Sequence, residues 1–128
     1  MVGYDEQNIF ARILRGEIAC ETVYENDHAL AFLDINPQAP VHILVIPKGP
    51  YISIKDFIED ASALEVEGFW AAVGEVARLG SLMERGFRIV SNCGDDAHQE
   101  VPHFHVHILG GGPLGPILNG RCGARDRN

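Results

Sequence analysis

Between residues 103 and 109 the chain reads His103-Phe104-His105-Val106-His107-Ile108-Leu109, and this alternation leaves little freedom in how the segment folds. In a β-strand successive side chains point to opposite faces. His103, His105 and His107 therefore share one face, and Phe104, Val106 and Ile108 share the other. The pattern predicts a strand over 104–109 whose apolar face packs on a core while its imidazole face is left for another purpose. One strand histidine is usually absorbed by structure; three in line need a chemical reason.

The rest of the sequence supplies partners for that strand. Asn8 predicts the cap of a short helix carrying Ile9, Phe10, Ile13 and Leu14 on one side, stopped by Gly16. Thr22–Glu25 and Ala29–Leu33 read as strands around the turn-prone Asn26-Asp27. The prolines of Asn36-Pro37-Gln38-Ala39-Pro40 force an irregular link into the apolar run His42–Ile46, which predicts a central strand closed by Pro47. A long helix is predicted over 62–84, with Val66, Phe69, Trp70, Val73, Val76 and Ala77 on one stripe. Gly74 and Gly80 weaken it unless they permit close packing, and Gly86 ends it. Phe87–Ser91 completes the strands. Strands interrupted by helices without regular βαβ alternation predict an α+β domain with an antiparallel sheet. One domain over 1–118 is expected, followed by a polar tail over 119–128 that frays.

Two chemistries compete for the histidine row. Zinc commonly takes His-x-His on a strand, but same-face neighbours lie roughly 6.6 Å apart and the outer two roughly 13 Å apart. With Zn–N bonds of about 2.0–2.1 Å, one ion takes two of the three and leaves the third unexplained. No further cysteine or acidic ligand is evidently paired with the row, so no metal and no cofactor is expected. The alternative is covalent catalysis at phosphorus. A neutral imidazole is nucleophilic near pH 7 through one nitrogen while the other holds an orienting partner. His105, with a histidine on each side, is the natural attacker; its neighbours fix its tautomer and bind a phosphoryl oxygen. His42 joins the row if its strand pairs nearby.

Composition narrows the partners. A formal charge of −8 disfavours long nucleic acids, whose affinity rests on Lys and Arg contacts to phosphates. It leaves room for one small anion held by local donors. The polar, acidic opening residues and the lack of a long apolar run predict neither a signal peptide nor a membrane span. Cys20, Cys93 and Cys122 are too scattered for a disulfide framework, so reduced thiols in a cytoplasm are expected.

These residues carry a family resemblance. His103 to Leu109 resembles the signature of the histidine triad (HIT) superfamily. So do Ile9-Phe10 with Gly16-Glu17-Ile18, the phrase from Asp34 through Asn36-Pro37-Gln38-Ala39-Pro40 to Pro47, and the glycine pair after the row. Within it the chain looks most like the nucleotide-binding (HINT) branch, and Pro113-Leu114-Gly115-Pro116 is similar to bacterial members. The resemblance implies a five-stranded antiparallel sheet with two helices, and a homodimer whose sheets join into ten strands. It also implies hydrolysis of purine nucleoside phosphoramidates through a nucleotidyl-histidine, without a metal.

By the same resemblance His105 is the nucleophile, His107 contacts the α-phosphate, and His103 and His42 support and orient the nucleophile. Asp34 receives the ribose hydroxyls, a role suited to a carboxylate's two acceptor oxygens. Ile35, Ile9, Phe10, Ile13, Phe32 and Leu44 wall the base. Asn92 and the backbone at His98, Gln99 and Glu100 lie beside the phosphate. Two departures bear on substrate choice: Glu100 stands where many eukaryotic members have serine, and His98 replaces a common glycine and is expected to narrow the leaving-group end. A dinucleoside-polyphosphate hydrolase is the nearest rival within the superfamily. A nucleotide-binding interaction module is the rival of another kind, disfavoured because a pure binder needs no positioned nucleophile.

Overall fold

The computed structural model describes residues 3–118, so the tail expected over 119–128 lies outside the described residues. The elements run α1 (Ile9–Leu14), β1 (Thr22–Glu25), β2 (Ala29–Leu33), β3 (Val41–Pro47), α2 (Ile54–Asp60), α3 (Ala63–Leu79), β4 (Phe87–Val90), a 3₁₀ turn at Asp95–Ala97, and β5 (Val106–Gly110). The strands form one sheet in the order β1-β2-β3-β5-β4, every pair antiparallel. This is the α+β architecture expected, with three α-helices where two were implied.

The additional helix is α2. Ser53 caps it, and the Asp56 carboxylate accepts from the Ser53 backbone N–H at 2.8 Å, a reciprocal cap that satisfies donors a seven-residue helix otherwise leaves open. Ser62 and Glu65 cap α3 in the same way. That helix stops at Leu79 rather than near residue 84. Gly80 takes the C-cap, Ser81 adopts a positive φ of 59°, and Leu82 N–H returns to the Ala77 carbonyl as its side chain enters the core. Gly74 faces open space, so no packing need explains it. The close approach is at Gly68, where a Cβ would sit 2.6 Å from the His28 ring.

The sheet separates two apolar clusters. On one face α2 and α3 cover Ala29, Ala31, Ile43, Val45, Phe104, Val106 and Ile108, with Phe57 and Phe69 at the centre. On the other, α1 lays Phe10 against Leu30, Phe32, Leu44 and Ile46. The β3–β5 register sets His107 opposite Leu44 and His42 opposite Leu109, so both imidazoles emerge on the α1 face. Strand β5 begins at Val106, two residues later than the alternation predicted. Ahead of it, Phe104 N–H donates to the Tyr51 carbonyl at 2.8 Å and Ser91 Oγ donates to the His105 carbonyl at 2.8 Å. Loop and side-chain partners replace the ladder there, while the alternation of faces persists.

Candidate active site

The hydrogen bonds around the four histidines fix where each proton sits. His103 is fully buried; its Nε2 lies 2.9 Å from the Pro47 carbonyl, which can only accept. That nitrogen therefore carries the proton, and Nδ1 receives the Tyr4 hydroxyl at 2.6 Å. His105 Nδ1 lies 2.7 Å from the His103 carbonyl and donates to it. Its Nε2 is left as a lone pair. That nitrogen makes no hydrogen bond, yet no buried side-chain N or O among the described residues lacks a partner, so Nε2 opens to solvent.

A second relay fixes His107. Gln38 N–H donates to His42 Nδ1 at 3.0 Å, so His42 protonates on Nε2 and donates to His107 Nδ1 at 2.9 Å. His107 then presents an Nε2–H donor beside His105, with the two rings 5.1 Å apart. His42 thus orients His107, whereas the resemblance assigned it to the nucleophile; what aims His105 is the main-chain carbonyl of His103. Phe10 packs edge-on against His105 at 5.1 Å.

Burial keeps these imidazoles neutral. Desolvation lowers His103 to about 4 against the opposing Pro47 hydrogen bond. It also lowers His107 to about 4, aided by His105 and His42. Desolvation depresses His105 as well, and it depresses His42 despite the Asp34 charge. A nucleophile and a neutral donor are therefore both available at pH 7.

Beside the row lies a cleft of about 530 Å³. Ile9, Phe10, Ile13, Phe32, Leu44 and Ile35 line it, as do Asp34, His42, His107 and Glu100. Ile18, Ala19, Cys20, Leu33, Asn36, Gln38 and Val101 also line it and went unnoticed in the sequence. Val101 stands between Glu100 and Pro102 and Ile18 follows Gly16-Glu17, so no apolar run marked either as a wall of the cleft. Gln38 acts through its backbone N–H, which leaves no mark on residue type. Asp34 Oδ1 accepts from Asn36 N–H at 2.7 Å, and its Oδ2 faces the cleft near His42 Nε2 at 3.4 Å.

The loop before β5 differs from expectation. His98 sits in the left-handed region at φ 58°, its side chain 86% exposed and turned to Glu100 at 3.3 Å, so it does not narrow the cleft. The His98 and Gln99 amides bond to Asp95 and Gly94 carbonyls inside the turn and are not free phosphate donors. The Gln99 side chain ties the loop down, donating to the Ile52 and Val101 carbonyls and accepting from Gly94 N–H. Asn92 is half-buried and outside the cleft lining.

An acidic group does accompany the row, contrary to the sequence argument. Donor atoms of Asp34, His42 and His107 lie within 4.8 Å of one another. The tautomers oppose metal binding there. Ligation through His42 Nε2 requires the proton on Nδ1, where the Gln38 N–H already points. The donor set does not fit a resident ion.

A family model described as the HIT domain matches residues 15–114. The chain belongs to the HIT family. It is 60% identical to a HIT-like protein of Azospirillum brasilense over 115 residues, covering 90% of this chain and 94% of that one. It is 39% identical to the purine nucleoside phosphoramidase of Escherichia coli over 116 residues, covering 88% and 94%. A HIT family hydrolase from Clostridium thermocellum has the same fold, with TM-score 0.81 at 37% identity, covering 89% of this chain and 98% of that one. Among the described residues no helix is long and apolar enough to cross a membrane.

Proposed function

We propose that the protein hydrolyses purine nucleoside 5′-phosphoramidates to the nucleoside monophosphate and an amine. The observation that carries this reading is the paired tautomers, which leave a lone pair on His105 Nε2 next to a proton on His107 Nε2. His105 Nε2 forms a bond to phosphorus as the P–N bond breaks, and the departing amine nitrogen takes a proton from solvent, which the water of the second step gives back. His107 donates to a phosphoryl oxygen throughout. The nucleotidyl-imidazolium keeps its Nδ1–H on the His103 carbonyl. Water then forms the P–O bond, releases the monophosphate and returns a neutral His105.

The apolar walls of the cleft suit a purine, and Asp34 at its rim suits the ribose hydroxyls. The Escherichia coli relative carries the same activity in its name. Release of a fluorescent amine from an adenosine 5′-phosphoramidate tests the reading. Turnover of a diadenosine polyphosphate with none of the phosphoramidate would replace it with the rival hydrolase.

A homodimer belongs to the same proposal. Strand β4 is a sheet edge, and its Phe87 and Ile89 are exposed, as are Met83 and Leu79 of the preceding turn and helix. Pairing two such edges joins the sheets into ten strands and covers these side chains. A single species near 14 kDa by light scattering at micromolar concentration would exclude it. The two described cysteines, Cys20 and Cys93, are unpaired, which supports a cytoplasmic location.

A further inference from the structure

Tyr4 lies outside the residues matched by the family model and outside the cleft lining, yet its hydroxyl reaches His103, 99 positions away. We propose that the Tyr4 hydroxyl is a positioning group for the histidine row: by donating to His103 Nδ1 it holds that ring in its Nε2–H form and fixes the residue on whose carbonyl His105 is aimed. The inference rests on the catalytic reading above and adds to it a residue that touches neither nucleotide nor phosphorus.

Three observations carry it. First, the direction of the bond is settled, because Pro47 offers only a carbonyl and so consumes the one proton of a neutral His103. Second, the Tyr4 ring meets the His103 ring edge-on, 5.6 Å apart at 69°, so removing the hydroxyl alone leaves the aromatic contact in place. Third, the segment bearing Tyr4 is anchored rather than draped. Gln7 N–H donates to Asp5 Oδ1, Asn8 donates twice to the Asp5 carbonyl, and Arg15 reaches back to the Glu6 carbonyl. Asn8 in turn caps α1, whose Phe10 rests on both His103 and His105. The N-terminal segment and α1 thus form one brace over the row, and Tyr4 is its polar contact.

Without the hydroxyl, His103 Nδ1 is a buried acceptor with no donor, a state that costs free energy. The ring relieves it by turning, by protonating or by admitting water. Each response disturbs the residue that accepts the His105 Nδ1–H bond, and small misplacements of a reacting group are expensive in rate.

The test is Tyr4→Phe, assayed with an adenosine 5′-phosphoramidate and by 15N spectra of the histidine side chains. The expected result is a kcat lower by roughly tenfold with KM within about twofold, because the ground-state nucleotide contacts are untouched. In the spectra, His105 loses its single Nδ1–H tautomer. Tyr4→3-fluorotyrosine, which keeps the donor, restores kcat. An unchanged kcat overturns the proposal, and so does a raised KM at constant kcat, which would place Tyr4 against the nucleotide. Should the wild-type protein fail to turn over any phosphoramidate, the functional reading fails; the 15N spectra then decide the positioning role alone, and an unaltered His105 tautomer in Tyr4→Phe overturns it.

Discussion

The two faces of the sheet are built from one strand and its approach, yet they do opposite things. On the α2–α3 face, Phe104 meets Phe57 and Phe69 with ring centroids 4.9 and 5.0 Å away, and all three are sealed from solvent. On the α1 face, the neighbour His103 is just as buried and His105 nearly so, and every nitrogen of the two except the attacking one is committed to a hydrogen bond. The first face is held by apolar contact, which is non-directional and tolerates small shifts. The second is held by directional bonds that set tautomers. A side chain on the closed face therefore governs whether the chain folds, and one on the histidine face governs what the folded chain can do.

The largest expected effect is on the histidine face. His105→Gly removes the lone pair aimed at phosphorus, and turnover should fall by on the order of a thousandfold or more. An acid-labile nucleotidyl-enzyme is trapped by quenching the wild type and is absent from the variant. Calorimetry with AMP should show affinity changed by less than about tenfold. An adduct that persists in His105→Gly and vanishes in His107→Gly would move the nucleophile along the row.

On the closed face Phe69→Ala should do the reverse. Loss of a fully buried ring from the aromatic cluster costs about 3–5 kcal/mol, read as a lower urea midpoint. The fraction that remains folded should keep its kcat. A selective loss of kcat at unchanged midpoint would mean that the faces are not separable.

This division explains what the sequence revealed. Alternation and apolar stripes report on the closed face, so β1, β2 and the stripe of α3 were legible from residue type alone, except that Trp70, expected on the buried stripe, is exposed and outside the core. The Ser53 and Asp56 cap of α2 was also present as a pattern, but so short a helix lacks the repeat that makes a stripe visible. On the histidine face the residues were readable and their bonding was not. His42 to His107 joins groups brought together by the sheet register, Tyr4 to His103 depends on where the N-terminal segment lies, and Gln38 to His42 is a local bond through a backbone N–H common to every residue but proline. Asp34 was placed by resemblance, and its closeness to His42 became evident only with the β2–β3 pairing, which sets Leu33 opposite Ile43 and lets the Asp34 N–H donate to the His42 carbonyl.

The same division predicts a pH response. His103 and His107 stay neutral in the fold down to about pH 4, whereas unfolded histidine protonates near 6.5. The unfolded state thus binds more protons in that window. These two groups leave stability unaffected above pH 6.5, lower it as pH drops by a slope of at most one proton for each group, and add no further loss below about 4. Urea midpoints measured from pH 7 to 4 should follow this slope. His107→Gln should remove one group's share; an unchanged slope would show that the histidine face does not carry the effect.

Smaller still is the effect at the cleft rim. Asp34→Ala should weaken binding of a ribonucleotide by roughly tenfold and barely alter binding of an acyclic analogue that lacks both hydroxyls. Asp34 also accepts from Asn36 N–H, so Asp34→Asn, which retains an oxygen there, separates the ribose contact from the loop contact. Equal losses for both ligands would assign Asp34 to holding the loop.

The smallest expected effect is none, and it tests the histidine face most directly. Asp34, His42 and His107 gather three potential ligand atoms, and a resident zinc would turn the face from a nucleophilic site into a metal site. The Gln38 N–H decides between them. It occupies His42 Nδ1, which leaves the proton on Nε2, and that proton is given to His107. A metal at Nε2 would displace the proton onto Nδ1 against the Gln38 donor and take from His107 the bond that sets its own Nε2–H. Binding the ion and presenting the phosphate donor are therefore mutually exclusive. Exhaustive chelation of the purified protein should leave phosphoramidate turnover unchanged, and added zinc should inhibit if it acts at all. Turnover lost on chelation and restored by zinc would overturn both the tautomer assignment and the role of His105.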